Sequence, residues 1–265
     1  MSQVYIKNFK KSFITGILPP VIVISFITSI ALSWSSLQDI IMERLEQMGN
    51  PVYQAILGDL GLEGLGLTWQ AAIFMYAGGT MNILLVLLSL YPARSLYQEI
   101  DKKSFDIIFS YPVSRWKYLF DKFAVYMTFG ALFPLSMLVT VIGSSIFIGE
   151  DINSNLVLHY SIGVYVQLFA LGALALLCVA IFLESNKALV ASGSLIVGQY
   201  FLESLGGLIP NLSNVQFLSI FHYFKISSIL EQGILPLDEL VIVLTIGILA
   251  CLTALGIFEK REYAL

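Results

Sequence analysis

Six runs of predominantly apolar residues, each long enough to cross a lipid bilayer, leave this chain few folds to choose from. They lie at about 14–34, 71–93, 118–148, 157–183, 188–208 and 237–258. A crossing helix needs about 20 apolar residues, and in lipid only helices and closed barrels satisfy every backbone polar group. The expected fold is an all-α membrane protein, one transmembrane domain over residues 1–265 with six transmembrane helices. The third and fourth runs are long enough to tilt or to extend beyond the bilayer. The first follows basic residues and ends ALSWSS, as a signal peptide does. It is longer than a signal h-region of about 7–15 residues, however, and five more spans follow.

Composition agrees. Only 12% of residues are charged and mean hydropathy is +0.84, against about 25% charged in soluble domains. The length leaves no room for a further large soluble domain. A net charge of −4, with no basic block beyond KNFKK, argues against nucleic acid as a partner. Cys178 and Cys251 both sit in apolar runs, so they read as small packing residues rather than as a disulfide or metal site.

Lysine and arginine mark the cytoplasmic side. With the N-terminus inside, twelve fall inside: Lys7, Lys10, Lys11, Arg94, Lys102, Lys103, Arg115, Lys117, Lys122, Lys187, Lys260 and Arg261. Two, Arg44 and Lys225, fall outside. Both termini are therefore expected in the cytoplasm of a multi-pass protein of the cell membrane.

The segments between the spans carry patterns of their own. VYIKNFKKSF mixes aromatics with three lysines and suggests an N-terminal interfacial helix, with Pro19 and Pro20 allowing a sharp turn into the first span. Leu37, Ile40, Ile41, Leu45 and Met48 recur at helical spacing and suggest an outer amphipathic helix ended by Pro51. Residues 209–236 are too apolar for an ordinary loop and suggest short outer helices before the last span.

The most polar part of the chain is the inner segment 94–117. Phe105, Ile108 and Phe109 fall at i, i+3 and i+4 and share one helical face. Pro112 cannot continue that helix, and Tyr111 before it is biased toward an extended conformation. A short amphipathic helix, a hard corner and the third span result. Arg115, Trp116, Lys117 and Tyr118 could serve as an interfacial belt. Alternatively, the aromatic face could insert into a groove on a soluble partner.

The stretch YQEIDKKSFDIIFSYPVSRWKYLFDK resembles the signature region of the ABC type-2 permeases, the membrane subunits of ATP-binding-cassette transporters. Glu99, Pro112, Val113, Ser114, Arg115 and Lys122 occupy the places of that signature. Downstream, SIFHYFKISSIL is similar to the family's element before the last span. The tail FEKREYAL resembles its ending, with Arg261 and Glu262 in place of the usual arginine–aspartate pair. The resemblance implies a cytoplasmic coupling helix over 103–110 that docks on a separate ABC ATPase through Glu99, Lys103, Phe105, Ile108, Phe109, Pro112 and Arg115. It also implies two ATPase copies that carry the ATP and magnesium, and a second permease half, identical or related, set in membrane lipid. This chain would bind no cofactor itself: G-x-x-x-x-G-K-[ST] does not occur in it. The expected activity is ATP-driven transport, as an exporter, with no enzymatic step on this chain.

Ionisable residues within spans are functional candidates. Glu203 either reaches the outer surface or lines a path, while Asp121 and Glu184 lie near the inner interface. Asn82, Gln167 and Gln199 either bond between helices or line the same path. Gly78, Gly79, Gly193 and Gly198 are expected at close helix contacts. His159 and His222 are isolated and do not form a metal site. A secondary transporter is the competing class, but residues 1–148 and 149–265 show no internal repeat of the kind such transporters carry. An intramembrane enzyme would need a convergent set of nucleophile, base or metal ligands, and the sequence shows none.

Overall fold

In a medium without water, a helix hides its backbone by bonding within its own segment, and the molecule is built accordingly from long helices. The computed structural model describes residues 3–37, 39, 69–101, 114–182, 185–206, 214–224, 229 and 235–260. Its helices are α1 (Gln3–Leu32), α2 (Trp69–Ser89), α3 (Tyr91–Asp101), α4 (Arg115–Ile148), α5 (Ser154–Ile181), α6 (Ser185–Gly206) and α7 (Leu237–Lys260). Two 3-10 turns, Gln216–Leu218 and Ile220–Tyr223, lie between α6 and α7. Among the described residues there is no strand.

Five helices, α1, α4, α5, α6 and α7, are long and apolar enough to cross a membrane. The predicted span at 71–93 falls on α2, whose 21 residues would reach about 31 Å at 1.5 Å per residue. Many of the large side chains on these helices face outward. Ile14 is 83% exposed and Ile146 77%. An apolar exterior of this extent would aggregate in water, whereas lipid solvates it.

The helices pack around α5. In its most apolar stretch 67% of residues are buried, against 17–33% in the other four spans. α7 lies along α5, α1 lies along α4, and α4 joins the two pairs, with α2, α3 and α6 completing the ring around α5. Small residues make this possible, but not the expected Gly193 and Gly198, where an added Cβ would meet nothing within 4 Å. On α7, a Cβ added at Gly247 would stand 2.7 Å from a ring carbon of Phe169 and 3.0 Å from the backbone of Ala170. Hydroxyls within the spans turn back onto their own helices. Thr140 donates to the Ser136 carbonyl, Ser161 to Val157 and Thr245 to Val241, so none needs a partner in lipid.

The N-terminal segment differs from expectation. Residues 3–13 do not form a separate interfacial helix that turns at the prolines; one helix runs from Gln3 to Leu32 with Pro19 and Pro20 inside it. The prolines remove two backbone donors. Contact with α4 keeps the helix in one piece: Phe9 stacks on Phe129 at 4.7 Å, and Gly16 lets the Phe129 ring sit against the α1 backbone. Thirty residues make a rod of about 45 Å, so its first turns overrun a hydrocarbon core of about 30 Å.

The first part of the most polar segment is helical. The chain breaks at Leu90, because Pro92 lacks an N–H, and then resumes as α3. At the opposite end Gly149 closes α4 in the left-handed region, φ +80°, a conformation that costs a side chain energy. The Asn153 side chain then caps α5 by accepting from the Asn155 N–H at 3.1 Å. The outer amphipathic helix expected over 37–48 and the coupling helix over 103–110 lie outside the described residues, apart from Leu37 and Asp39.

Candidate functional site: the arms of the inner segment and the polar groups of the spans

The residues predicted to dock a partner fall into two groups. Lys103, Phe105, Ile108, Phe109 and Pro112 lie outside the described residues. Their two supports are described. Glu99 belongs to the last turns of α3, and Arg115, half-buried, opens α4. These two helices are the arms between which the segment is carried.

The arms are fastened to each other. Lys122, about two turns into α4 and 6% exposed, donates from Nζ to the Ser95 carbonyl of α3 at 3.2 Å. Its ammonium also lies 5.4 Å from the centre of the Tyr118 ring, within cation–π range. Tyr91 of α3 stacks on Tyr126 of α4 at 6.4 Å and 10°. The Tyr91 hydroxyl in turn donates to the Ser12 hydroxyl of α1. Tyr126 is held from its other side, donating to the Leu168 carbonyl of α5 at 2.9 Å. Thus α1, α3, α4 and α5 meet at the end of the bundle rich in lysine and arginine.

Two of the four polar residues proposed for a path are engaged at the other end. Gln199 of α6 accepts from the Ile220 N–H at Oε1, 3.1 Å, and its carbonyl accepts from the Ser219 hydroxyl at 2.9 Å. The Glu203 carbonyl accepts from the Gln216 amide at 3.1 Å. The Glu203 carboxylate stands 3.3 Å from Nδ1 of His222, without hydrogen-bond alignment. These bonds staple the 3-10 turns onto the end of α6. Gly206 makes room for the Gln216 side chain, and Gly163 of α5 for the Phe224 ring.

The other two stand apart. Gln167 occupies the middle of α5, is 1% exposed, and its amide nitrogen has no hydrogen-bond partner. Asn82 is half-buried on α2. Among the described residues, no hydrogen bond joins either of them to the staple. Nor does any group of His, Cys, Asp and Glu among the described residues have an arrangement that could hold a metal ion. Cys178 and Cys251 are buried free thiols.

Sequence reasoning missed one polar junction altogether. Glu150, just past the end of α4, accepts from Trp34 Nε1 at 2.8 Å and from the Trp69 backbone N–H at 3.0 Å. The two indoles pack edge to face at 5.3 Å, Trp34 3% and Trp69 0% exposed. One carboxylate thus ties the chain just after α1 and the end of α4 to the start of α2, where the helix dipole favours negative charge. Glu150 stands within a short acidic loop, and nothing local in the sequence distinguishes it from Asp151.

A sheath of lipid-facing apolar side chains around a tightly packed central helix, with polar junctions at both ends, defines a multi-pass helical membrane protein. Residues 63–198, just over half of the chain, match the family model described as ABC-2 family transporter protein, and the chain belongs to that family. Membership makes it a membrane transport subunit of an ABC transporter rather than the ATPase, and implies an ABC ATPase as its working partner. No curated protein and no solved structure gives a match.

Proposed function

We propose that the chain is the permease of an ABC exporter in the cell membrane. It would carry six spans with both termini in the cytoplasm, and pair with a second permease half and two copies of an ATPase. ATP and magnesium are held by that ATPase. The aromatic ridge Phe105, Ile108 and Phe109 docks in an ATPase cleft as a coupling helix, with Glu99, Lys103, Pro112 and Arg115 around it. Closure of the ATPase dimer moves this segment, and the motion passes into the spans, which alternate access to cargo.

The observation that carries this reading is the bond from Lys122 to the Ser95 carbonyl. With the Tyr91–Tyr126 stack, it makes the two arms of the docking segment one body continuous with α5. A push on the segment therefore does not dissipate in a hinge between α3 and α4. The twelve-to-two distribution of basic residues supports the cytoplasmic placement of these arms. The 21 apolar-rich residues of α2 support a sixth span. The bundle holds little fixed charge, so the cargo path suits hydrophobic or amphipathic molecules better than ions, with Asn82, Gln167, Gln199 and Glu203 as its polar positions.

The test is co-purification with the ATPase from cells that make both chains. Phe105→Asp and Phe109→Asp each place a charge on the docking ridge and are expected to abolish the pairing and the transport-coupled ATP hydrolysis. Full pairing and normal transport in both variants would refute the coupling-helix assignment.

A further inference from the structure

Gln167 behaves unlike the other polar groups buried in the bundle. It lies in the middle of α5, is 1% exposed, and its amide nitrogen has no hydrogen-bond partner. Buried hydroxyls nearby are satisfied: Ser161 of α5 donates to the Val157 carbonyl, and Ser192 of α6 to the Ala188 carbonyl. A buried donor without an acceptor is costly where water cannot reach it. Any second arrangement of the helices that gives this amide an acceptor is favoured by that cost.

The acceptor can be located from the packing of α5 and α6. Ser192 Oγ also lies 3.3 Å from the Ala175 carbonyl of α5, to which it donates. Away from the short connection that joins the two helices, Gln167 is eight residues from Ala175 and Gln199 is seven from Ser192. Those steps are about 12 Å and about 10 Å along the helix axes, so the two amides stand level. Ser192 and Ile196, both 0% exposed, mark the side of α6 that turns into the bundle, and Gln199 continues it at i+7 and i+3. On α5, Gly163 stands one turn from Gln167 and makes room for the Phe224 ring. That side of α5 therefore meets the same 3-10 turns that Gln199 holds from α6.

We propose that Gln199 serves two donors in turn, and that the exchange is a latch on the 3-10 turns. In this structure its Oε1 accepts from the Ile220 N–H at 3.1 Å, which seats the turns on α6. In the second arrangement the Gln199 side chain swings onto α5, its Oε1 accepts from Gln167 Nε2, and the Ile220 N–H is released. The bonds from Ser219 Oγ to the Gln199 carbonyl and from the Gln216 amide to the Glu203 carbonyl use backbone acceptors, so they survive the exchange. The turns thus loosen around Ile220 and stay hinged on α6. A neutral hydrogen bond between membrane helices shifts such an equilibrium by about threefold on average, which leaves both arrangements populated. Nothing in this latch depends on how the ATPase docks.

The experiment is hydrogen exchange of the full-length protein in nanodiscs, read at the Ile220 amide by mass spectrometry. Gln167→Leu and Gln167→Met each remove the competing donor and keep a side chain of similar length. Exchange at Ile220 is expected to slow about threefold in both. Exchange at Leu218, whose N–H bonds to the Val215 carbonyl, is expected to stay as in the wild type. Gln199→Leu should speed exchange at Ile220, and Gln167→Leu/Gln199→Leu should match Gln199→Leu alone, because Gln167 acts only through Gln199. Exchange at Ile220 that is unchanged or faster in both Gln167 variants would overturn the latch. So would a slowing that persists in the Gln199→Leu background, since the acceptor would then be another group. Thermal unfolding supplies the second reading. Both Gln167 variants should melt above the wild type, because they remove an unsatisfied amide; a lower midpoint in both would mean that the amide is already bonded, and would also overturn the latch.

Discussion

Replacing Glu150 by glutamine keeps the shape of the side chain and removes one acceptor. Among its bonds, the carboxylate takes hydrogens from Trp34 Nε1 and from the Trp69 N–H, one on each oxygen. An amide has a single carbonyl oxygen; its NH₂ must face whichever donor the oxygen does not serve. A hydrogen bond to a charged group contributes about 1.5–3 kcal/mol, and the favourable charge at the start of α2 adds about 0.3–1 kcal/mol. Glu150 is half-buried, which places the expected loss in the lower part of that sum, about 2–3 kcal/mol. The reasoning fixes a second number. If Trp34→Phe has already removed the indole donor, the glutamine oxygen is free to serve Trp69, and Glu150→Gln should then cost about 1.5 kcal/mol less. Unfolding in detergent, followed by intrinsic fluorescence, measures both; Trp34 and Trp69 are two of the three tryptophans. A cost for Glu150→Gln below about 0.5 kcal/mol would refute the clamp, since a lost charged bond cannot be that cheap. So would additive losses in the double-mutant cycle, since contacting groups should couple by about 0.5–3 kcal/mol.

Two further changes test other seams. Gly247→Ala should destabilise the α5–α7 pair by about 1–3 kcal/mol, because the Ala170 backbone 3.0 Å away cannot yield as a side chain would; Gly256→Ala on the same helix meets open space and should melt no lower than the wild type. Equal melting temperatures for the two variants would contradict the close approach. Gln199→Leu removes the acceptor of the Ile220 N–H, which should loosen the staple at the end of α6 by about 1–3 kcal/mol and speed hydrogen exchange at Ser219 and Ile220; exchange unchanged at those amides would show that Gln199 does not hold the turn.

What the sequence could express was whatever repeats along a single helix. Apolar run length placed the ends of the five helices long and apolar enough to cross a membrane to within a few residues, except at the start of α1, because that property belongs to the segment alone. The same reasoning failed for residues 3–13. Lysines between aromatics are as compatible with a helix lying flat as with the overrunning end of a long one; the neighbour, Phe129, sits more than a hundred residues away and decides between them. Proline misled for a related reason, since its cost in a helix depends on whether another helix braces it, and α4 does. The polar junctions were hidden more deeply. Trp34 and Glu150 are 116 residues apart, and Lys122 meets the Ser95 carbonyl from 27 residues away, so no short window in the chain contains either pair. A helix face can be read from spacing, but which faces meet is a property of the packed bundle, and in this molecule the small residues of α5 and α7 settle it.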